Sequence, residues 1–447
     1  MSSFLDKVRS AGVVGAGGAG FPTYVKLDCK VELVLANGAE CEPLLNKDQV
    51  VMQLWADEML GGMLLAMKHT GATKAIIGIK DKHQDTIDIV EQAIQRLAQP
   101  EEFSVLQMRD VYPAGDEIEL IYEATGKRVP SGGLPKDIGV LVQNSESYIN
   151  IFRAATDKPV THTMVTVHGE VKKPYTAWLP VGISVADALE VAGGTTCDDY
   201  IIIDGGPMMG GVVDSLDQPI TRLSSGFIVI PKSSSLAIKK TMPEEAYRRI
   251  GKAACDQCSL CTSMCPRHML GYPIKPHLVM RALQTSGPNS ETYSLSAQAC
   301  SECNLCSMWS CPEGLDPRNM CVTTKRDLRE EGKLMTPEQL QSKTVDVHPM
   351  RDYRGVPTKR LIQRLGLVQY SKTEAKVLDD NLAFNQVTIP LKQHIGAPAQ
   401  ANVKVGDSVN VGQVIGVAPN DALSVNIHAS IEGKIASVTD QYVVIKK

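Results

Sequence analysis

The sequence predicts a multidomain α/β chain, and three observations predict it. Its 447 residues exceed what one hydrophobic core organises. Helix-compatible and strand-compatible stretches alternate through the N-terminal part, the pattern of α/β organisation. Eight of the twelve cysteines crowd into two short runs, which set a separate region between two stretches of short strands.

The composition, 43% hydrophobic and 21% charged, is that of an ordinary globular protein. A formal net charge of −4 gives no overall attraction to nucleic acid or to an anionic membrane surface. No apolar run approaches the roughly 20 residues that cross a bilayer, so no membrane span is expected. Lys7 and Arg9 precede an apolar stretch, Ala11 to Phe21, that imitates a secretory signal, but five of its eleven residues are glycine. A cytosolic, reducing compartment is therefore expected, where cysteines favour metal ligation over disulfides.

In the N-terminal region Val31–Ala36 and Lys74–Ile79 read as buried strands, and Met52–Lys68 and Gln84–Leu97 as helices. Residues Gly15 to Gly20 match G-x-G-x-x-G. Phe21-Pro22 follows at once, against a dinucleotide-type helix, and no Gly-Lys-Ser/Thr ends the segment. Two readings remain, a backbone cradle for phosphate with Lys26 as counter-charge, or a plain tight connection. Polar groups gather after the strand at Asn37–Pro43 and again at Tyr112–Glu117 and Gln143–Glu146, the places where ligands sit in open α/β sheets.

Short strands at Val165–Val171, Ile201–Ile203 and Phe227–Ile230 follow, with a helix at Val185–Ala192 that Gly193-Gly194 ends. His168 stands alone on its strand and reads as structural, because a metal site needs several convergent ligands. Pro231 and Ser233–Ser235 read as a linker.

The cysteine runs are Cys255-x2-Cys258-x2-Cys261-x3-Cys265-Pro266 and Cys300-x2-Cys303-x2-Cys306-x4-Cys311-Pro312. In bacterial-type ferredoxins three close thiolates hold one cubane, and the remote cysteine before proline serves the other. Two [4Fe–4S] clusters are thus expected, one on Cys255, Cys258, Cys261 and Cys311, the other on Cys300, Cys303, Cys306 and Cys265. The extra residue before Cys311 predicts a small bulge. Zinc ribbons use two pairs and not two triplets with Cys-Pro, and no histidine follows a C-x-x-C as haem attachment requires. Cys29, Cys41, Cys197 and Cys321 read as small apolar residues. A proline and two glutamates, Pro243–Glu245, open a helix running to Ala253, His277–Gln284 is a second, and residues 322–350 are charged and helical or irregular.

Gly15-x-Gly17-Gly18-Ala19-Gly20-Phe21-Pro22-Thr23 with Lys26, followed by Asn37-x-x-Glu40-x-Glu42-Pro43, resembles the FMN- and NADH-binding subunit of respiratory complex I. With Val129–Pro135 it resembles the C subunit of the Rnf electron-transport complex still more. The resemblance implies FMN contacts at Gly15, Gly17, Gly18, Lys26, Asn37, Tyr112, Gly115, Asp116 and Asn144, with Gly20 and Glu40 in the same motifs. Phe21, Glu42 and Glu117 would face the nicotinamide nucleotide. Ala16, Ala39 and Tyr24 depart from the complex I pattern, and the first two adjoin the expected flavin.

The middle region resembles the β-grasp module called SLBB. Residues from Val403 to Val438 resemble a biotinyl/lipoyl-type barrel-sandwich hybrid, but its hairpin tip, Ala418–Ala422, offers no lysine, so no swinging arm is expected. Ile389-Pro390-Leu391 and Gln393–Pro398 match the barrel signature of Rnf C subunits, where that module precedes the flavin domain; here it comes last.

That order resembles the cobalamin reductases of propanediol-utilisation microcompartments. The expected layout is an FMN/NADH-binding α/β domain at 1–158, an SLBB β-grasp domain at 159–235, a helical two-[4Fe–4S] ferredoxin-like domain at 236–350 and a barrel-sandwich domain at 380–447. The resemblance implies an oxidoreductase carrying electrons from NADH through FMN and the clusters to cobalamin, for a B12-dependent diol dehydratase. It implies corrinoid as substrate, B12-handling enzymes and microcompartment shell proteins as partners, and a place in the bacterial cytoplasm inside a microcompartment. An Rnf-C-like protein serving another acceptor, or a cluster-binding scaffold without nucleotide chemistry, are the alternatives.

Overall fold

The computed structural model describes residues 3–378 and 382–447, so residues 1–2 and 380–381 of the expected terminal domains lie outside the described residues. The chain begins with a four-stranded parallel sheet in the order 103–108, 74–80, 33–37, 140–144. Strand Leu33–Asn37 is followed in the chain by a strand on one side and joined later by Val140–Asn144 on the other. That reversal opens a crevice beyond the strands' carboxyl ends, where Asn37 and Asn144 are register partners.

Helix Lys47–Thr70 covers this sheet together with Ser145–Ala155, and Gly71 in the left-handed region (φ +82°) ends it. At Gly62 a β-carbon would stand 1.9 Å from the Tyr148 carbonyl, so only glycine permits that approach. Among the described residues this helix alone is long and apolar enough, by length and composition, to cross a membrane, a test that buried core helices also pass. Met52, Met59, Leu60 and Met63 are nevertheless wholly buried in the domain core. Its first residue, Lys47, pairs with Glu146 at 3.0 Å with both side chains 1% exposed. Breaking so buried a pair costs about 3–5 kcal/mol.

A six-stranded mixed sheet follows, ordered 376–377, 175–180, 162–169, 226–231, 200–204, 211–212. His168 is structural, its Nε2 2.9 Å from the Thr373 carbonyl. The cysteine region is built from short helices, among them Glu244–Ala254, Pro276–Ala282 and Pro317–Glu330. The C-terminal module is two facing antiparallel sheets, four-stranded and three-stranded.

Two features bind these parts together. Val387, Ile389, Ile415 and Ile445 of the last module share one core with Val165, Leu179, Ile183 and Val229 of the middle one. Each such side chain contributes about 1.5–3 kcal/mol by burial, so neither module is free to swing away. Residues 351–378 then act as a strap: Val356-Pro357 pairs with Val111-Tyr112, Tyr370 donates to Glu170, and Lys376-Val377 adds an edge strand to the six-stranded sheet.

Candidate functional site

The cysteines sort into two quartets. Cys255, Cys258, Cys261 and Cys311 line one small cavity, walled by Met280, Leu315 and two prolines. Burial first, then the neighbouring Cys255, Cys311 and Cys258, push the Cys261 thiol up to about 12. Burial and then Cys300, Cys303 and Cys265 push Cys306 up in the same way. The structure thus groups the thiols as the crossed spacing pattern requires. Among the described residues no three His, Cys, Asp or Glu side chains converge at single-ion distance; four thiols instead surround an open volume.

The backbone supports the same chemistry. Gln257 and Ser259 flank Cys258 with φ of 59° and 64°, and Glu302 and Asn304 flank Cys303 with 63° and 65°. A left-handed non-glycine residue costs roughly 1–2 kcal/mol. Two of them in each C-x2-C-x2-C run, at matching positions, wrap that run around a centre. The extra residue of the second run forms a π-helical turn, Cys306–Ser310, in which Cys311 N donates to Cys306 O at 3.1 Å. This is the bulge the spacing anticipates.

The polar motifs of the first domain meet at the sheet crevice. Asn37 Nδ2 donates to Gly115 O at 2.8 Å, and Asn144 Nδ2 to Asp48 Oδ1 at 2.7 Å. A β-carbon on Gly115 would lie 2.2 Å from the Ala39 carbonyl, whereas Gly17 and Gly18 face open space. Gly15 closes the glycine loop through a hydrogen bond to Phe21 O, and Ala16 N donates to Ser147 Oγ. Lys26 reaches the Val142 carbonyl and lies 3.7 Å from Glu117. Thr23 Oγ1 and Gln143 Nε2, beside the loop and beside Asn144 in the chain, are buried without partners. Free amides, a lysine and orphaned polar atoms around a crevice fit a phosphate-bearing planar ligand.

Burial, then the charges of Asp48 and Glu42, push the Glu40 carboxyl up to about 8. Burial also moves Glu42 to about 7 and Asp48 to about 6. At neutral pH this crevice therefore carries less negative charge than its residues suggest, which suits an anionic ligand. Glu42 is held from the middle domain: its oxygens accept from Met208 N at 2.8 Å and Met209 N at 2.7 Å. Gly20 lies against Leu223 and against His394 of the C-terminal signature. Gln393 of the same signature accepts from Arg222 N, and Arg222 donates onward to Gly12 O and Asn426 O. The last module thereby packs onto the first glycine loop.

Segment Tyr112–Glu117 joins the crevice to the cysteines. The buried Tyr112 phenol donates to Cys303 O at 2.6 Å. Asp116 caps helix Glu117–Thr125 and pairs with Arg267, two residues past Cys265, at 3.0 Å with both side chains 15% exposed. Sequence reasoning missed Arg267; its place directly after Cys-Pro was the available signal. It also missed that Cys321 is fully buried beside Cys300.

Comparison with known proteins places these sites in families. Residues 8–153 match the Nuo51 FMN-binding domain and 254–316 a 4Fe-4S dicluster domain. Residues 164–211 match the SLBB domain and 365–447 the RnfC barrel sandwich hybrid domain. The chain is thus a multidomain flavin and iron–sulfur electron-transfer protein, with the four fold types its sequence predicts. It is 41% identical to the cobalamin reductase PduS of Salmonella typhimurium, over 98% of this chain and 95% of the relative. It is 40% identical to the PduS of Citrobacter freundii over equal shares. The Na(+)-translocating ferredoxin:NAD(+) oxidoreductase complex of Acetobacterium woodii has a C subunit that is 36% identical, over 59% of this chain and 57% of that relative. The chain belongs to the cobalamin reductase PduS family.

Proposed function

We propose that this chain is an NADH-dependent cobalamin reductase, with the net reaction NADH + 2 Co(III) → NAD⁺ + H⁺ + 2 Co(II) and a further one-electron step towards Co(I). The observation that carries the reading is the direct linkage of crevice and cysteines by Tyr112 and Asp116, in a chain of the PduS family. When bound, FMN takes hydride as an electron pair and the clusters carry the electrons onward singly.

The chain's own residues have separable tasks. The free amides at Gly17 and Gly18, with Gly15, Gly20 and Lys26, hold the flavin phosphate. Asn37, Glu40, Tyr112, Gly115, Asp116 and Asn144 shape the crevice around the ring, and Phe21, Glu42 and Glu117 face the nicotinamide. Cys265, Cys300, Cys303 and Cys306 hold the cluster on the flavin side. Cys255, Cys258, Cys261 and Cys311 hold the cluster on the solvent side. Domains 1–158, 159–235, 236–350 and 380–447 are the units that carry these tasks. B12-handling enzymes and shell proteins are the partners we assign, in a bacterial cytoplasm within a microcompartment.

The test is anaerobic purification with iron, sulfide and flavin quantified, followed by NADH and then cob(III)alamin. Flavin bleaching, cluster reduction and NADH-dependent formation of cob(II)alamin are expected. Clusters without flavin, or a reduced protein that leaves cob(III)alamin untouched, overturn the reading.

A further inference from the structure

The glycine loop is held at both ends by a turn from another domain. Its stem is a short hairpin: Val14 bridges to Pro22, Gly15 N donates to Phe21 O at 3.0 Å, and Thr23 N donates to Val13 O at 3.2 Å. Residues Thr221–Ser224 of the middle domain form a tight turn, closed by Ser224 N to Thr221 O at 3.1 Å and by Leu223 N to Thr221 Oγ1 at 3.2 Å. Before the loop, Arg222 Nη1 donates to Gly12 O at 2.7 Å. After it, Leu223 packs so closely that a β-carbon on Gly20 would stand 2.7 Å from a leucine methyl. The C-terminal module fixes the turn from behind: Gln393 Oε1 accepts from Arg222 N at 3.1 Å, and Asn426 O from Arg222 Nη1 at 3.0 Å.

Arg222 is buried without a counter-charge. It is 3% exposed, and among the described residues no carboxylate pairs with it. Burial alone moves its guanidinium, down to about 9, which leaves it charged at neutral pH. The two histidines beside it add no charge, because burial and the guanidinium hold both imidazoles low, His394 below its usual range and His428 at about 3. Lys26, the cation on the loop's own side, lies 3.7 Å from Glu117, so its charge is partly offset. A charge taken out of water is costly unless an opposite charge or hydrogen bonds compensate it. Arg222 has the hydrogen bonds and lacks the opposite charge.

We propose that Arg222 is a positioning residue for the flavin phosphate, supplying counter-charge from behind the glycine loop without touching the ligand. The inference rests on the reading of the crevice as the FMN site. Gly18, whose amide faces open space, is two residues from Gly20, and so within about 8 Å of it along the chain. Coulomb attraction falls only as the inverse of distance, and between partly buried charges it is several times what water allows. The guanidinium therefore acts twice, through its bond to Gly12 O, which sets the loop's stem, and through its charge, which favours a dianion in the loop. Arg222 thereby makes the site prefer a phosphorylated flavin to riboflavin. It also ties that preference to the C-terminal module, whose Gln393 and Asn426 hold it in place.

The experiment uses the full, cluster-loaded chain freed of flavin under anaerobic conditions, and follows the quenching of flavin fluorescence as FMN or riboflavin is added. Wild type is compared with Arg222→Gln, which keeps a donor and removes the charge, and with Arg222→Lys, which keeps the charge. Arg222→Gln should bind FMN about tenfold more weakly than wild type and riboflavin within about threefold of it, while Arg222→Lys should hold FMN within about threefold. Equal losses for FMN and riboflavin in Arg222→Gln would show a merely structural role and overturn the inference. A loss in Arg222→Lys as large as in Arg222→Gln, or FMN binding unchanged in Arg222→Gln, overturns it too. If Arg222→Gln does not fold, Gln393→Glu, which sets a carboxylate against Arg222, should show the same selective loss of FMN, and wild-type FMN affinity in that variant overturns the inference. Riboflavin bound as tightly as FMN by wild type sinks the phosphate role and leaves the flavin reading intact. A wild type that binds neither flavin sinks both.

Discussion

The two cysteine quartets share a sequence pattern and the same left-handed backbone pair, yet their surroundings differ. In the quartet of Cys265, Cys300, Cys303 and Cys306 no cysteine is exposed, and Tyr112, Asp116 and Arg267 tie its loops to the crevice. The quartet of Cys255, Cys258, Cys261 and Cys311 borders an accessible cavity, and Cys258 is exposed. Similar quartets therefore occupy unlike positions, one against the sheet crevice and one facing solvent. Potential and reactivity of iron–sulfur clusters follow exposure, charge and hydrogen bonding as well as ligand type. The contrast should be measurable.

The largest expected effect breaks the pairing itself. Cys265→Ser and Cys303→Ser should each leave about four irons per chain, and the double variant should leave the same, because both remove one [4Fe–4S] cluster. Cys265→Ser combined with Cys258→Ser should leave almost none. An iron count showing that Cys265→Ser and Cys303→Ser add together would mean the crossing is wrong.

Next in size, a ferrous chelator applied under mild oxidation should strip the solvent-side quartet well before the other. Iron release from wild type should run in two phases, and Cys258→Ser should remove the fast one. A single phase would erase the distinction drawn here.

A smaller effect sharpens the flavin-side environment. Arg267→Gln removes a half-shielded cation and its bond to Asp116, and should destabilise the fold by about 1.5–3 kcal/mol. It should also lower the midpoint potential of one cluster and leave the other in place, as followed by a redox titration with EPR detection. Equal shifts in both clusters would contradict the separation.

The smallest test concerns the crevice. The folded Glu40 carboxyl sits near 8, against 4.5 for an ordinary glutamate, because of burial and the acids around it. Its bound proton stabilises the fold fully below pH 4.5, and that contribution disappears as pH rises to about 8. Glu40→Gln should therefore raise the thermal midpoint of the flavin-free protein by a few degrees at pH 8.5 and by almost nothing at pH 4.5. A gain that is the same at both values would place Glu40 in solvent.

Much of this molecule was legible in the residues. The cysteine spacing and the two Cys-Pro ends announced which thiols come together, because a cubane needs thiolates at fixed reach along a wrapping loop. Asn37 and Asn144 were recognisable from their places after buried strands, since parallel strands put such ends on one edge. The one-residue excess before Cys311 announced a bulge but not its π-helical form.

What no local pattern carried was decided by long-range packing. Tyr112 read as a flavin contact, yet its hydroxyl bonds the Cys303 carbonyl from 191 positions away. Glu42 read as a nucleotide contact, yet loop amides of the middle domain hold it. The strap at 351–378 is made of short elements, the longest being the helix Thr358–Arg364, and its role comes from pairing with strands formed much earlier in the chain. Periodicity and cysteine spacing are properties of neighbouring residues, so the sequence alone determined the fold classes and the grouping of the cysteines. Which module faces which depends on surfaces complementary only after each has folded, and the tertiary structure alone set the last module against the first glycine loop and one cysteine quartet beside the crevice.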